Sequence, residues 1–167
     1  MLPLMLFLAL QTAPTPKAAA ATPTDPLATL AVLNGAWTVS TPAPASGAAK
    51  PDNLVNHCTR TVAYYSCEQV VNGKSAALIV FVPGDAPGKY HTQIVLPNGY
   101  STGRSDLTID ADHWTYLGKD VEGDTTTWYR TENYFHGPNS IHFEIYKSTD
   151  NKNWQKTMEG DETRSQT

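Results

Sequence analysis

The chain has 167 residues, with 12 Lys and Arg against 16 Asp and Glu and a formal net charge of −4. This length fits one domain with a single core. No basic cluster occurs, which argues against nucleic acid as a partner, and no acidic block indicates a charged tail.

Residues 1–21 are predicted to be a signal peptide. The apolar run over residues 2–10 has the length of an h-region and is shorter than the roughly 20 residues that cross a bilayer. Ala18–Ala21 offers an A-x-A cleavage site, although no Lys or Arg precedes Leu2. We expect an exported protein, periplasmic or secreted in a bacterium, with no stable membrane span. The alternative is an apolar tail on a protein that is not exported. Residues 22–26 are expected to be a linker.

A short helix is expected over residues 25–34. Asp25 is a favourable N-cap and Pro26 suits the first helical position, while Asn34-Gly35 ends the helix. Its apolar positions give it one apolar face: Leu27, Leu30, Ala31 and Leu33. Two helical turns are not stable alone, so we expect the helix to pack on the end of a barrel.

About nine or ten strand-like segments follow, with turn residues about every ten to twelve positions. Asn72-Gly73 is a typical hairpin turn. Residues 76–82 are apolar on both faces, which predicts a strand buried on both sides. The strands are expected at residues 37–41, 54–60, 62–71, 75–82, 89–96, 100–109, 113–118, 125–135, 140–148 and 154–162. The fold class predicted is therefore all-β: an antiparallel up-and-down barrel over residues 27–164 with a short closing helix.

Cys58 and Cys67 are the two cysteines of the chain. An even count and an oxidising compartment favour a disulfide between them. The alternative is a pair of buried free thiols, which behave as small apolar residues. Their spacing does not fit a zinc site, and no second cysteine pair occurs.

The layout resembles the calycin superfamily, which contains the lipocalins. It is most similar to a bacterial exported calycin-like family of unknown function. That family opens with L-x-x-L-x-G-x-W, here L-A-V-L-N-G-A-W at residues 30–37. It closes with S-x-D/N-G-x-x-W and a terminal Arg, here S-T-D-N-K-N-W at residues 148–154 and Arg164. The resemblance implies a structural role for Gly35, Trp37 and Arg164, with Trp37 and Arg164 closing one barrel end.

A second relative within the superfamily is the nitrobindin family, which binds haem in a ten-stranded barrel through a late histidine. His142 is the residue that would correspond. The family's opening G-x-W-x-G-x-G is not met by G-A-W-T-V-S-T at residues 35–41. No cofactor is therefore expected.

The richest set of functional side chains lies on two neighbouring predicted strands. Its members alternate along each strand and so share a face: Trp128, Arg130, Glu132, Tyr134, His142, Glu144 and Tyr146. Facing inward, they would orient an amphipathic ligand or support acid–base chemistry. Facing outward, they would form solvated cross-strand pairs, and Ile141, Phe143 and Ile145 suit the core better.

The sequence predicts no metal site, because no metal-ligand spacing of His or Cys occurs, and no catalytic motif is present. The favoured function is binding of a small apolar or amphipathic ligand inside the barrel. One alternative is an enzyme, an isomerase or hydrolase using Glu132, Glu144 and His142. The other is a protein-interaction module with a filled barrel, which would use a sheet face or the loop at residues 42–52.

Overall fold

The computed structural model describes residues 25–42 and 52–165. The predicted signal peptide lies outside the described residues, as do most of the predicted linker and most of the loop at residues 42–52. Within the described ranges, no helix is long and apolar enough to cross a membrane.

Ten antiparallel strands form one closed barrel, which confirms the predicted fold class. Each strand pairs with its neighbours in the chain, and the first pairs with the last. The strands are β1 (Gly35–Ser40), β2 (Leu54–Arg60), β3 (Tyr65–Val71), β4 (Lys74–Pro83), β5 (Lys89–Val95), β6 (Ser105–Asp110), β7 (His113–Glu122), β8 (Thr125–Phe135), β9 (Ser140–Ser148) and β10 (Gln155–Arg164).

The helix before β1 is a 3₁₀ helix at Ala28–Leu33, shorter than the predicted helix at 25–34. Asp25 is not its N-cap, although its Oδ1 accepts a hydrogen bond from the Leu27 backbone N–H at 3.0 Å. Leu27, Leu30 and Leu33 are all buried. Their spacing of three residues is the period of a 3₁₀ helix, so they share one side and turn it toward the barrel.

Several strand boundaries differ from the prediction. The strand predicted at 62–71 begins at Tyr65, because the Thr61 N–H bonds to the Tyr64 carbonyl at 2.9 Å and forms a turn. The segment predicted at 100–109 is a strand only over Ser105–Asp110, preceded by an isolated bridge at Ser101. β7 continues beyond residue 118, because its polar end pairs with the start of β8 in a long hairpin.

The prediction that residues 76–82 are buried on both faces is wrong. Ala77 and Phe81 point inward and are 7% and 3% exposed, whereas Leu78 is 39% exposed. No described element covers the outer side of β4, since the 3₁₀ helix contacts β2. A closed single-layer barrel buries only the inner face of such a strand.

The buried core gathers around the closing helix. The three leucines of the helix pack with Trp37, and the cluster extends to buried side chains from other strands, including Tyr65, Tyr90, Leu107, Trp114 and Ile141. Because the core occupies this end, side chains further along the strands surround a space that the core does not fill.

Candidate functional site

A cavity of about 610 Å³ occupies the barrel interior. Residues from all ten strands line it, and Leu33 and Trp37 form its floor at the closed end. The opposite rim includes Thr41, Tyr100 and Lys119. Its volume lies within the roughly 300–1,000 Å³ of small-molecule sites. Most of the surface of the wall is apolar, with Val39, Ile79, Phe81, Ile94, Phe143 and Ile145 among the lining residues.

Three polar side chains form a hydrogen-bonded chain on the wall formed by β10, β2 and β3. The Asn56 amide donates to Glu162 Oε2 at 3.0 Å, and the Gln69 amide donates to Asn56 Oδ1 at 3.4 Å. The register of β2 and β3 explains the contact between Asn56 and Gln69, since the two residues are directly opposite each other. Glu162 reaches Asn56 diagonally across β1, where it is opposite Val39. The polar groups therefore meet only because the barrel closes between β1 and β10.

The Glu162 carboxyl lies against the cavity and is shielded from bulk solvent. This burial raises its pKa, while the hydrogen bond from Asn56 acts in the opposite direction. Burial also raises the pKa of the Tyr116 phenol, and the negative charge of Glu162 raises it further. The two side chains are therefore close enough to interact electrostatically across the cavity. Tyr116 keeps its proton at neutral pH and offers a neutral O–H.

Among the described residues that line the cavity, the charged ones are Lys119, Asp120 and Glu162. Lys119 and Asp120 are exposed at the rim, and Glu162 is the one placed inside. Asn133 lies on the wall formed by β8 and is 7% exposed, and its Oδ1 has no hydrogen-bond partner within the described ranges. Buried polar atoms normally have a partner, so this oxygen is an exception behind the cavity surface.

The seven predicted ligand-binding residues lie on the outer face of the barrel, and none of them lines the cavity. The physical reason is the alternation of β8 and β9, whose inward positions are taken by residues such as Thr131, Asn133 and Phe143. The outward alternative is therefore the arrangement found. The residues concerned are Trp128, Arg130, Glu132, Tyr134, His142, Glu144 and Tyr146.

The structure brings Arg130 and Glu132 together on this outer face. Glu132 lies 2.9 Å from Arg130 Nε and accepts hydrogen bonds from the Thr115 hydroxyl at 2.7 Å and His113 Nε2 at 2.8 Å. The Arg130 guanidinium packs on the ring of Tyr146, with its carbon 4.8 Å from the centroid. Glu132 is consequently held by several partners on the outer face of the barrel.

A second outer-face cluster surrounds Glu144. It accepts hydrogen bonds from the Tyr146 hydroxyl at 2.6 Å and the Lys156 ammonium at 3.0 Å, and both lower its pKa. A general acid needs a raised pKa near the working pH, so Glu144 is not prepared for that role. His142 contacts Asp161 at 3.0 Å instead of Glu132.

The remaining two predicted residues lie at opposite ends of this surface. The Tyr134 ring stacks on His113 at 4.7 Å between centroids and lies 6.4 Å from His142. Trp128 lies near the rim, with the Lys119 ammonium 5.4 Å from its ring centroid. The seven residues therefore form neighbouring surface contacts rather than one enclosed site.

Three residues on the outer face could hold a metal ion by proximity. The ligand atoms of His142, Glu144 and Glu159 lie within 4.8 Å of one another. The Lys156 ammonium bridges the two carboxylates at 3.0 and 2.6 Å. One ammonium thus lies between the two carboxylates and offsets part of their charge, and a metal ion there would have to displace Lys156.

His142 does not correspond to a haem ligand in this barrel, because its side chain lies on the outer face. Within the described part of the chain, no histidine lines the cavity. An axial histidine must project toward the iron from the pocket wall. The cavity wall therefore does not fit a histidine-ligated haem.

Gly35, Trp37 and Arg164 meet at the closed end. The Trp37 indole N–H donates to the Leu33 carbonyl at 2.8 Å, and the Arg164 guanidinium lies over the indole ring. Gly35 has a φ of +109°, which L side chains rarely adopt, and a Cβ there would lie 3.3 Å from Arg164 Nη1. Glycine at position 35 therefore adopts the required backbone conformation without strain and leaves room for the Arg164 guanidinium.

The predicted disulfide between Cys58 and Cys67 is confirmed. The two residues are directly opposite each other on β2 and β3, with their Cα atoms 4.0 Å apart. Both side chains are buried and line the cavity. The disulfide thus covalently links two strands of the cavity wall.

Sequence reasoning did not single out the amides and the carboxyl inside the cavity: Asn56, Gln69, Asn133 and Glu162. One signal was present, since Asn56 shares a strand face with Cys58 and Asn133 is opposite the inward Phe143. Glu162 gave none, because it lies in the polar run G-D-E-T-R at residues 160–164, which has no apolar alternation.

No protein-family model matches this chain, and neither does any curated protein. Among solved structures, the crystal structure of Rv2717c from M. tuberculosis is similar, with a TM-score of 0.56 and 12% sequence identity. The match covers 86% of this chain and 99% of that chain. At this identity the likeness concerns the barrel fold alone.

Proposed function

We propose that this chain is an exported, calycin-like barrel protein that binds one small amphipathic ligand inside its cavity. The observation that carries the proposal is the cavity of about 610 Å³, which has mostly apolar walls and one internal polar cluster. Such a combination is typical of ligand sites, where apolar walls supply affinity and a few polar groups fix orientation. The disulfide agrees with export to an oxidising compartment.

Apolar contact would supply most of the binding energy. Each methylene transferred from water to the cavity wall contributes about 0.8 kcal/mol, part of which offsets the loss of ligand freedom. The polar cluster of Asn56, Gln69 and Glu162 would receive the ligand's polar group, while its apolar part contacts walls such as Ile79 and Phe81.

Neither alternative function has comparable support. The enzyme hypothesis relied on Glu132, Glu144 and His142 in one enclosed site, and these residues face outward. The interaction-module hypothesis relied on a filled barrel, whereas the interior retains about 610 Å³. Ligand binding is therefore the function to test first.

The test is fluorescence titration with N-phenyl-1-naphthylamine, a neutral apolar probe that brightens when it leaves water. Two adjacent positions on β4 give matched variants. Ile79→Trp adds a large side chain inside the cavity, and Leu78→Trp adds the same side chain on the outer face. We expect the unmodified protein and Leu78→Trp to bind the probe equally. Ile79→Trp should bind it about tenfold or more weakly.

Circular dichroism of both variants would verify that the barrel remains folded. Equal probe binding by the two variants would locate the probe outside the cavity and contradict the proposal. Absence of probe binding by the unmodified protein would contradict it as well. Native mass spectrometry of the protein isolated from its exported fraction adds a direct observation, because a small-molecule adduct lost on denaturation would give the ligand's mass.

A further inference from the structure

We infer that the cavity selects amphipathic amines, whose head group is a cation, and that Glu162 is the residue that determines this preference. The inference rests on the proposed binding function and specifies the ligand class for the same cavity. It follows from the charge and hydrogen-bond partners of the inner wall.

Glu162 lacks a cationic partner. Within the described ranges, no Lys, Arg or His nitrogen lies within ion-pair distance of its carboxylate. Oε2 accepts from Asn56, and Oε1 has no hydrogen bond to any described side chain or backbone group. A shielded carboxylate is costly unless it is paired, and here one oxygen and the whole negative charge are available to a ligand.

The basic residue closest to Glu162 along the chain, Arg164, and the cationic residue among the described ones that line the cavity, Lys119, are engaged elsewhere. Arg164 is two positions further along β10, but its guanidinium lies over Trp37 and donates to the carbonyls of Val32 and Pro138. Lys119 lies at the rim, near the Trp128 ring. Neither supplies a cation to the inner wall at Glu162.

The facing groups are neutral. Tyr116 keeps its proton because burial and the charge of Glu162 both raise the pKa of its phenol. Gln69, Asn56 and Asn133 are amides without charge. An ammonium head near Glu162 would therefore form the one ion pair inside the cavity. A carboxylate head would meet a like charge in a poorly solvated space, which disfavours it.

The effect of the head group can be isolated experimentally with three ligands that have the same number of carbons, twelve. Dodecylammonium, dodecan-1-ol and dodecanoate would each displace bound N-phenyl-1-naphthylamine near pH 7.5, at concentrations below micelle formation. We expect dodecylammonium to bind about tenfold or more tightly than dodecanoate, with dodecan-1-ol between them.

Glu162→Gln keeps the size and the acceptor for Asn56 while removing the charge. We expect it to weaken dodecylammonium binding by about tenfold and to leave dodecan-1-ol within about threefold. Glu68→Gln is the matched control, because Glu68 is exposed on the outer face of β3. It should leave all three affinities unchanged.

The outcomes separate the inference from the function on which it rests. If the unmodified protein binds none of the probes, the proposed function fails. If it binds them but prefers dodecanoate, or has no preference by head group, the inference is overturned while the cavity remains a binding site. The comparison of the three ligands on the unmodified protein needs no variant to fold. If Glu162→Gln and Glu68→Gln change the ammonium affinity equally, Glu162 is not the determinant.

Discussion

The guanidinium carbon of Arg164 lies 4.3 Å from the centroid of the Trp37 indole ring. The two residues are directly opposite each other where β10 meets β1, so their contact lies at the seam that closes the barrel. The same guanidinium donates to the carbonyls of Val32 and Asn34 at the end of the 3₁₀ helix and of Pro138 between β8 and β9. Arg164 therefore joins three parts of the closed end.

Replacing Arg164 by Ala should lower the free energy of unfolding by about 2–4 kcal/mol. The change removes a cation–π contact and leaves carbonyls that accept charge-assisted hydrogen bonds without a donor. Lys keeps the charge but not the planar set of donors, so Arg164→Lys should recover only part of the loss. Urea denaturation followed by circular dichroism measures the free energy of unfolding of both variants.

Arg104→Ala is the matched control, because Arg104 is exposed and makes no side-chain hydrogen bond or ion pair to the described residues. It should change the free energy of unfolding by less than about 0.5 kcal/mol. A loss at Arg164 no larger than at Arg104 would contradict its proposed structural role.

The Cys58–Cys67 disulfide closes a short loop, since its cysteines are nine positions apart in the sequence. Loop-closure entropy for this length corresponds to about 2–3 kcal/mol of stability. Dithiothreitol should therefore lower the free energy of unfolding of the unmodified protein by this amount, provided that thiol titration finds both cysteines reduced. The double variant Cys58→Ala, Cys67→Ala should be destabilised as well and should not respond to the reductant. Complete reduction without loss of stability would be inconsistent with the prediction.

The sequence was sufficient for the architecture because its signals were local. Asn72-Gly73 adopts the positive φ values of a tight hairpin turn, 51° and 77°, as its residue types predict. The strand limits predicted at 125–135 and 140–148 are correct because turn residues bound both segments clearly. The limits at 54–60 are also correct, although residues 60–63 contain no clear turn residue. Leu27, Leu30 and Leu33 mark the closing helix in the sequence, but the predicted apolar face also includes Ala31, whereas a spacing of three residues is that of the 3₁₀ helix found.

The sequence did not decide which face of β8 and β9 is inside, because alternation divides a strand into two faces without stating which one is inward. Glu132 and Glu144 are directly opposite each other on β8 and β9, which agrees with the prediction that the seven side chains share one face. The apolar Ile141 and Phe143 on the alternate positions were the better guide. The polar cavity wall was beyond local reasoning, because Glu162 meets Asn56 only through the seam between β1 and β10.

Asp150 organises the turn between β9 and β10. Its carboxylate accepts hydrogen bonds from the backbone N–H groups of Lys152 and Asn153 at 2.9 and 2.8 Å and from the Ser148 hydroxyl at 2.8 Å. These bonds hold the pKa of Asp150 well below its usual 3.8. Its contribution to stability is therefore present above the ordinary pKa and is lost as the pH falls through the depressed value.

Asp150→Ala should consequently lower the melting temperature at pH 7. The difference from the unmodified protein should shrink in strong acid, where the carboxyl becomes protonated in both states. Asp85→Ala is the control, since Asp85 is exposed and makes no side-chain hydrogen bond within the described ranges. Calorimetry at several pH values measures the differences. A gap that stays constant between pH 7 and strong acid would disprove the role assigned to the carboxylate.

The contribution of Glu162 to stability should depend on pH in the direction opposite to that of Asp150. Burial raises its pKa in the folded state above the usual 4.5, so the folded protein holds this proton more firmly than the unfolded chain. Stability linked to Glu162 is therefore greatest below the unfolded pKa and is lost as the pH rises through the folded pKa. Glu162→Gln cannot ionise and keeps an acceptor for Asn56.

We therefore expect Glu162→Gln to have a higher melting temperature than the unmodified protein at pH 7, and the two proteins to converge near pH 4. Tyr116, which faces Glu162, stays protonated over this range and does not contribute to the change. A saturating amphipathic amine should remove the difference at pH 7, because it supplies the missing cation to the unmodified protein and not to the variant. An unmodified protein that is the more stable of the two at pH 7 without ligand would show that the carboxylate already has a partner inside the barrel.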